Sequence, residues 1–135
     1  MAYQGYLIKV GGYTISGKKY IKAESYNVTK NIQDLDSYRD ANGVLHRTAL
    51  DHAPLKIEFE TPPLLTNEDI GELFSNIREN SLVLKERKVS VTAYVPELDD
   101  YVTQEMYMPD PKFSIYGVFD NVIKYNPVRI AFIGY

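Results

Sequence analysis

One stretch of this sequence, Thr61 to Asn80, carries a helical period, and it limits what the rest of the chain can become. Thr66 is placed to accept a hydrogen bond from a free amide of the first turn, which makes it an N-cap. Glu68 and Asp69 follow and put negative charge at the positive end of the helix dipole. Ile70, Leu73, Phe74 and Ile77 recur at i, i+3, i+4 and i+7, so they gather into one apolar stripe. Pro62 and Pro63 stop the helix from extending backwards. The spacing predicts a helix over about residues 66–80, with strand and turn on either side. One helix closing one face of a β structure is the expected design.

The strands are read from alternation and from their punctuation. Leu7–Val10, Gly11-Gly12 and Tyr13–Ile15 predict a hairpin at the start of the chain. Gly17-Lys18-Lys19 reads as a break, and Tyr20–Thr29 as irregular to extended. Asp40-Ala41-Asn42-Gly43 separates Leu35–Arg39 from Val44–Ala49, and Asn-Gly suits a hairpin tip because both residues tolerate positive φ. The flanks of that hairpin, around 35–49, hold Asp36, Arg39, His46 and Arg47, so it is expected to project into solvent or lie on a partner.

Leu55, Ile57 and Phe59 alternate with Lys56, Glu58 and Glu60, the pattern of a half-buried strand. Lys85–Lys88 is a charged lead-in to Val89, Val91, Ala93 and Val95, with Ser90, Thr92 and Tyr94 on the other face. Pro96–Asp100 reads as a turn, and Tyr101–Met108 as the returning strand ended by Pro109 and Pro111. Phe113–Gly117 and Val122–Tyr125 are short strands about an Asp120-Asn121 turn. Val128–Tyr135 is almost wholly apolar and is expected to be covered on both faces. A chain ending in such a strand is expected to be a whole domain, 1–135, and not a fragment. The fold class is therefore α+β, mostly antiparallel, a sandwich or partial barrel with one helix laid against it.

At 135 residues, 44% hydrophobic and 24% charged, the chain can bury a core without metal or disulfide staples. With no cysteine, a disulfide framework, thiolate catalysis and cysteine-bound zinc are excluded. A net charge of −3 gives no bulk reason to bind nucleic acid. The N-terminus lacks the basic and apolar regions of a signal peptide, and no stretch reaches the length of a membrane span.

The sequence holds no catalytic constellation. His46 and His52 flank a turn with Asp51 nearby, but a metal needs further ligands, and surface histidines are the simpler reading. Glu58 and Glu60 share a strand face, which would suit glycoside acid–base chemistry only if that face lined a cleft. Glu97, Asp99 and Asp100 sit in a turn without calcium-loop spacing. No nucleophile elbow or phosphate-binding glycine loop is present. Lys85, Arg87 and Lys88 are interrupted by Glu86 and too few for a nucleic-acid footprint. No catalytic residue, cofactor or metal is assigned.

What stands out is aromatic surface: 12 tyrosines and no tryptophan. Any one tyrosine is core by default, yet one sheet has few faces to hide so many rings. Interfaces favour Tyr, Met and Arg, so self-association gains weight. The candidate contact residues are Arg39, Asp40, Asn42, Gly43, His46 and Arg47 of the hairpin, with Tyr101 and Tyr107.

Val89-Ser-Val-Thr-Ala-Tyr-Val-Pro-Glu-Leu-Asp-Asp-Tyr-Val-Thr, Met106-Tyr-Met-Pro-Asp and Tyr125-Asn-Pro-Val-Arg-Ile-Ala-Phe-Ile-Gly-Tyr135 resemble segments of small structural tail proteins of phages and prophages of Gram-positive bacteria. In that group a hairpin of the Asp40-Ala-Asn-Gly-Val kind precedes the helix, and the resemblance spans roughly residues 35–135. It implies a tail-tube-like fold and a non-enzymatic virion component, made in the host cytoplasm. Its partners would be further copies of itself, in a ring or tube, and other tail proteins. No membrane insertion and no sequence-specific nucleic-acid binding is implied. Which tail part is meant, whether tube, terminator or baseplate ring, is carried by no motif. The competing reading is a β-rich module that stacks cell-surface carbohydrate on exposed tyrosines such as Tyr101 or Tyr107. A third is a small hydrolase using Glu58 and Glu60.

Overall fold

The computed structural model of the chain describes residues 3–30, 37–47 and 54–135. In chain order, β1 (Ile8–Val10) and β2 (Tyr13–Thr14) make the first hairpin. A single helical turn, α1 (Gly17–Tyr20), and a 3-10 turn at Ala23–Ser25 lead to β3 (Asn27–Lys30). β4 (Tyr38–Arg39) and β5 (Leu45–His46) form a ribbon of their own. β6 (Leu55–Glu60) and β7 (Leu65–Thr66) precede the main helix, α2 (Asn67–Glu79). After it come β8 (Ser81–Val83), β9 (Lys88–Val95), β10 (Asp100–Tyr107), β11 (Ile115–Phe119), β12 (Val122–Tyr125) and β13 (Arg129–Gly134).

The principal sheet is open, with strand order β2-β1-β9-β10-β13-β6-β3 and β8 on the other end of β9. β7, β12 and β11 make a second, three-stranded sheet with β11 at its edge. Each pairing among the described residues is antiparallel. The class is α+β, as the residue periods predict.

Register explains the core. Val89, Val91, Ala93 and Val95 share a face with Ile8 and Val10 of β1, and that face is buried. Leu55, Ile57 and Phe59 continue it through β6, and Ile130 and Phe132 through β13. The α2 stripe of Ile70, Leu73, Phe74 and Ile77 joins the same cluster. Each fully buried residue of this kind contributes about 1.5–3 kcal/mol before conformational entropy is counted. The opposite face carries Thr92, Thr103, Glu105, Lys56 and Glu58, which accounts for the alternation. β13 is covered on both faces only at its middle, where Ala131 is also buried while Arg129 is exposed.

The helix begins where the sequence places it, with one refinement. The Thr66 hydroxyl accepts from the Asp69 amide at 3.3 Å, and the Asp69 carboxylate accepts from the Thr66 amide at 3.2 Å, a reciprocal capping box. At the other end the Asn80 side-chain oxygen accepts from the Gly12 amide at 3.1 Å, tying the first hairpin to the helix.

Two expectations need correction. Gly17–Lys19 is not a break but the start of α1, whose Tyr20 is buried in the core. A single turn has too few residues to show a period. The run from Tyr20 to Thr29, expected to be irregular to extended, is a 3-10 turn followed by β3 on the edge of the principal sheet. The charged lead-in before Val89 is a turn, with Arg87 at φ +53°, that joins β9 to β8, a strand the residue pattern does not show. The turn at Asp120-Asn121 does have both residues at positive φ, +47° and +69°, the two-residue tip expected of a tight hairpin.

Candidate interface surfaces

The polar ribbon is built around one aspartate. Asp40 accepts through Oδ1 from the amides of Asn42 (2.9 Å) and Val44 (3.0 Å), and its Oδ2 lies 2.9 Å from His46 Nε2. Its backbone closes the turn from both sides, with Asp40 N–H to Val44 O at 3.0 Å and Gly43 N–H to Asp40 O at 2.9 Å. Only Gly43 takes positive φ, at +80°, so the tip is a longer turn closed by Asp40 and not one with both Asn42 and Gly43 left-handed. The contact with His46 and the two amide bonds hold the Asp40 carboxyl below its ordinary range. Arg39 donates to Gly43 O at 3.0 Å, and the Tyr38 and His46 rings stack at 4.9 Å. The described ribbon residues other than Asp40 are exposed, and Asp40 is half-buried. Arg39, Asp40, Asn42, Gly43, His46 and Arg47 therefore come together on one ribbon, while its outer flanks at 35–36 and 48–49 lie outside the described residues. So do Asp51 and His52.

The tyrosines divide differently. Tyr101 is half-buried, stacked on Tyr6 at 4.7 Å and edge-on to Tyr94 at 5.6 Å, and its hydroxyl donates to Tyr6 O at 2.6 Å. Its ring pins the N-terminal segment to the outer face of β10, so one face is not free to stack on a sugar. Tyr26 reinforces the cluster: its hydroxyl donates to Tyr94 O at 2.9 Å, and burial pushes its ionisation well above the ordinary tyrosine range. Tyr107 packs edge-on against Tyr135 at 5.6 Å, with the Lys88 ammonium 4.9 Å from the Tyr135 ring centre.

Glu58 pairs with Arg129, and the Glu60 backbone is bound on both sides, accepting from Lys22 N–H and donating to the Ser25 hydroxyl. That surface is a shallow polar cleft with a cation already beside the carboxylate. Among the described residues no three His, Asp or Glu side chains are grouped to hold a metal ion.

The surface that the residue pattern did not single out is the β11–β12 hairpin. Ile115, Tyr116, Val118 and Phe119 are 50–64% exposed, and both faces of the strand are apolar. A Cβ on Gly117 would come within 2.9 Å of the Phe119 ring, so the glycine lets that ring lie across the strand. Among the described residues β11 is also an unpaired edge, a template for another chain. The run Phe113 to Phe119 is mostly apolar in the sequence, but that alone does not tell an exposed strand from a buried one.

Beside α2 lies an apolar groove of about 550 Å³, lined by Ile70, Phe74, Leu84, Met108 and Phe113, with Arg78 and Arg87 among its residues. Gly71 also lines it, and open space surrounds the position a Cβ would take there. No helix is long and apolar enough to cross a membrane among the described residues.

A family model described as a family of unknown function, DUF6711, matches residues 1–135. No curated protein matches the chain significantly. Two solved structures share its fold. One is a chain in the tail of an empty GTA particle refined with C6 helical symmetry, with TM-score 0.56 and 14% identity, covering 99% of this chain and 95% of that one. The other is a chain in the virion of a native gene transfer agent particle, with TM-score 0.57 and 13% identity, covering 97% and 91%.

Proposed function

The chain belongs to the family of unknown function DUF6711, and for this member we propose a role as a non-enzymatic structural subunit of the tail of a phage or phage-like particle. The observation that carries the proposal is the shared fold, which extends over nearly the whole of this chain and of a chain in a GTA tail. The residues support it in kind. The Asp40–His46 ribbon and the apolar β11–β12 hairpin are exposed and offer contact surfaces that no other described residue covers. The subunit would assemble with further copies into a ring or tube and meet other tail proteins, in the virion, after synthesis in the host cytoplasm. The resemblance of residues 35–135 to tail proteins of Gram-positive phages and prophages points to the same class.

Co-expression with the products of neighbouring reading frames, followed by electron microscopy, tests the proposal. Rings, stacks or tubes containing the chain are expected. Monomers alone, with and without those partners, would overturn it.

A further inference from the structure

We propose that the β11–β12 hairpin of one copy docks into the apolar groove beside α2 of a second copy, a head-to-tail contact between unlike surfaces. This rests on the tail-subunit reading, because the occupant is another copy of the same chain. The hairpin is a preformed knob. Tyr116 and Phe119 lie together on it with ring centres 6.3 Å apart, and the missing Cβ of Gly117 leaves room for the Phe119 ring. β12 is held by its pairing with Leu65 and Thr66 and by the Ile123 amide donating to Asn67 at 3.2 Å. In that position none of Ile115, Tyr116, Val118 or Phe119 lines the chain's own groove.

Charge favours a second copy, and the exposed area suits part of an interface. With full side-chain areas of about 150–250 Å² for aromatics, the exposed part of the hairpin comes to roughly 400 Å². That is about half of one partner's share in a standard interface of ~800 Å² per side, before the backbone edge and groove rim are added. The hairpin tip carries Asp120, while the groove presents Arg78 and Arg87. Arg78 makes no ion pair among the described residues, and Arg87 pairs only with the exposed Asp110 at 3.1 Å. The groove reaches the base of the same hairpin through Phe113 and Tyr125, but the exposed knob residues lie outside it, so knob and hole are unlike surfaces. Their contact is heterologous and closes into a ring or continues as a filament according to its rotation.

Two variants approach the contact from opposite sides. Val118→Lys/Phe119→Thr removes the knob at exposed positions, and Gly71→Leu fills the hole where no atom stands in the way. Circular dichroism confirms that each stays folded, and sedimentation velocity reads association at up to about 1 mM chain. The wild type is expected to self-associate, and each variant to do so at least about tenfold more weakly. An equimolar mixture is expected to recover dimers and nothing larger, since it holds one intact knob and one intact hole. Variants that associate as the wild type does, or a mixture no better than its parts, would overturn the docking. If rings still form with neighbouring tail proteins in that case, the tail reading stands and only the hairpin contact falls. If the wild type assembles with nothing, both fall.

Discussion

At the start of α2, Thr66 and Asp69 each satisfy the other's backbone amide, and residues of this kind carry predictions that need no knowledge of a partner. Thr66→Ala removes one acceptor and is expected to cost about 1 kcal/mol in a denaturant titration. Partial burial pushes the Asp69 carboxyl up, but bonds from the Thr66 amide, the Lys19 ammonium and the Thr66 hydroxyl outweigh it, so it sits below its ordinary range. Asp40 is lowered too, chiefly by His46 and the Val44 amide. A carboxyl lowered on folding stabilises the native state above its unfolded value and ceases to do so as pH falls through the folded one. The stabilising contribution of both aspartates is therefore present at neutral pH and disappears below about pH 4. For Asp40 the expected readout is local: the Asn42 and Val44 amides should lose their exchange protection in acid before the principal sheet melts. Asp40→Asn should remove that acid dependence. Gly71 works in the other direction. It stands inside a helix with open space around it, so Gly71→Ala is expected to raise stability by about 0.5–1 kcal/mol.

Among the elements, those with a clean period or with turn residues beside them were readable from the sequence, and those with neither were not. α2, β6 and β9 bury the residues that their spacing selects, because each has one buried face and enough length to repeat it. β8 and α1 are three and four residues long, too short for any repeat, and are fixed by what they touch. The contact surfaces divide along the same line. The Asp40–His46 ribbon was visible because turn chemistry and charge are local properties. The β11–β12 hairpin was not, because a bare apolar strand and a buried one read alike until the rest of the chain is folded. Tyr101 shows the converse, a ring whose partners, Tyr6 and Tyr94, lie far away or on another strand. The element most open to direct test is α2. Phe74 is buried against the core and meets Phe113 edge-on at 5.2 Å, so Phe74→Ala is expected to lower stability by about 3–5 kcal/mol. A loss below about 1 kcal/mol in equilibrium unfolding would mean that the helix is not seated on the sheet as described.

For the whole molecule, what matters most is where β13 falls. It lies between β10 and β6 in the principal sheet, with Met106 opposite Gly134 on one side and Ile57 opposite Phe132 on the other. Without β13, β2-β1-β9-β10 and β6-β3 share no strand pairing, so the sheet is continuous only once the final strand is in place. The helix alone cannot bridge them, because its stripe packs against a core that both halves must supply. Closing loops of this length before the pairing is gained makes folding slow, on the millisecond to second scale typical of non-local β topologies. Removing residues 129–135 should then abolish cooperative unfolding altogether, leaving a chain without a sigmoidal melt by circular dichroism. Phe132→Ala tests the same idea without truncation. The side chain is fully buried, and its loss is expected to cost about 3–5 kcal/mol. If β13 joins after the rest of the sheet has formed, most of that cost should appear as faster unfolding and little as slower folding. Stopped-flow refolding and unfolding of Phe132→Ala decides between the two. A mainly slower folding limb would mean that β13 is already paired in the transition state and that the sheet grows outward from it.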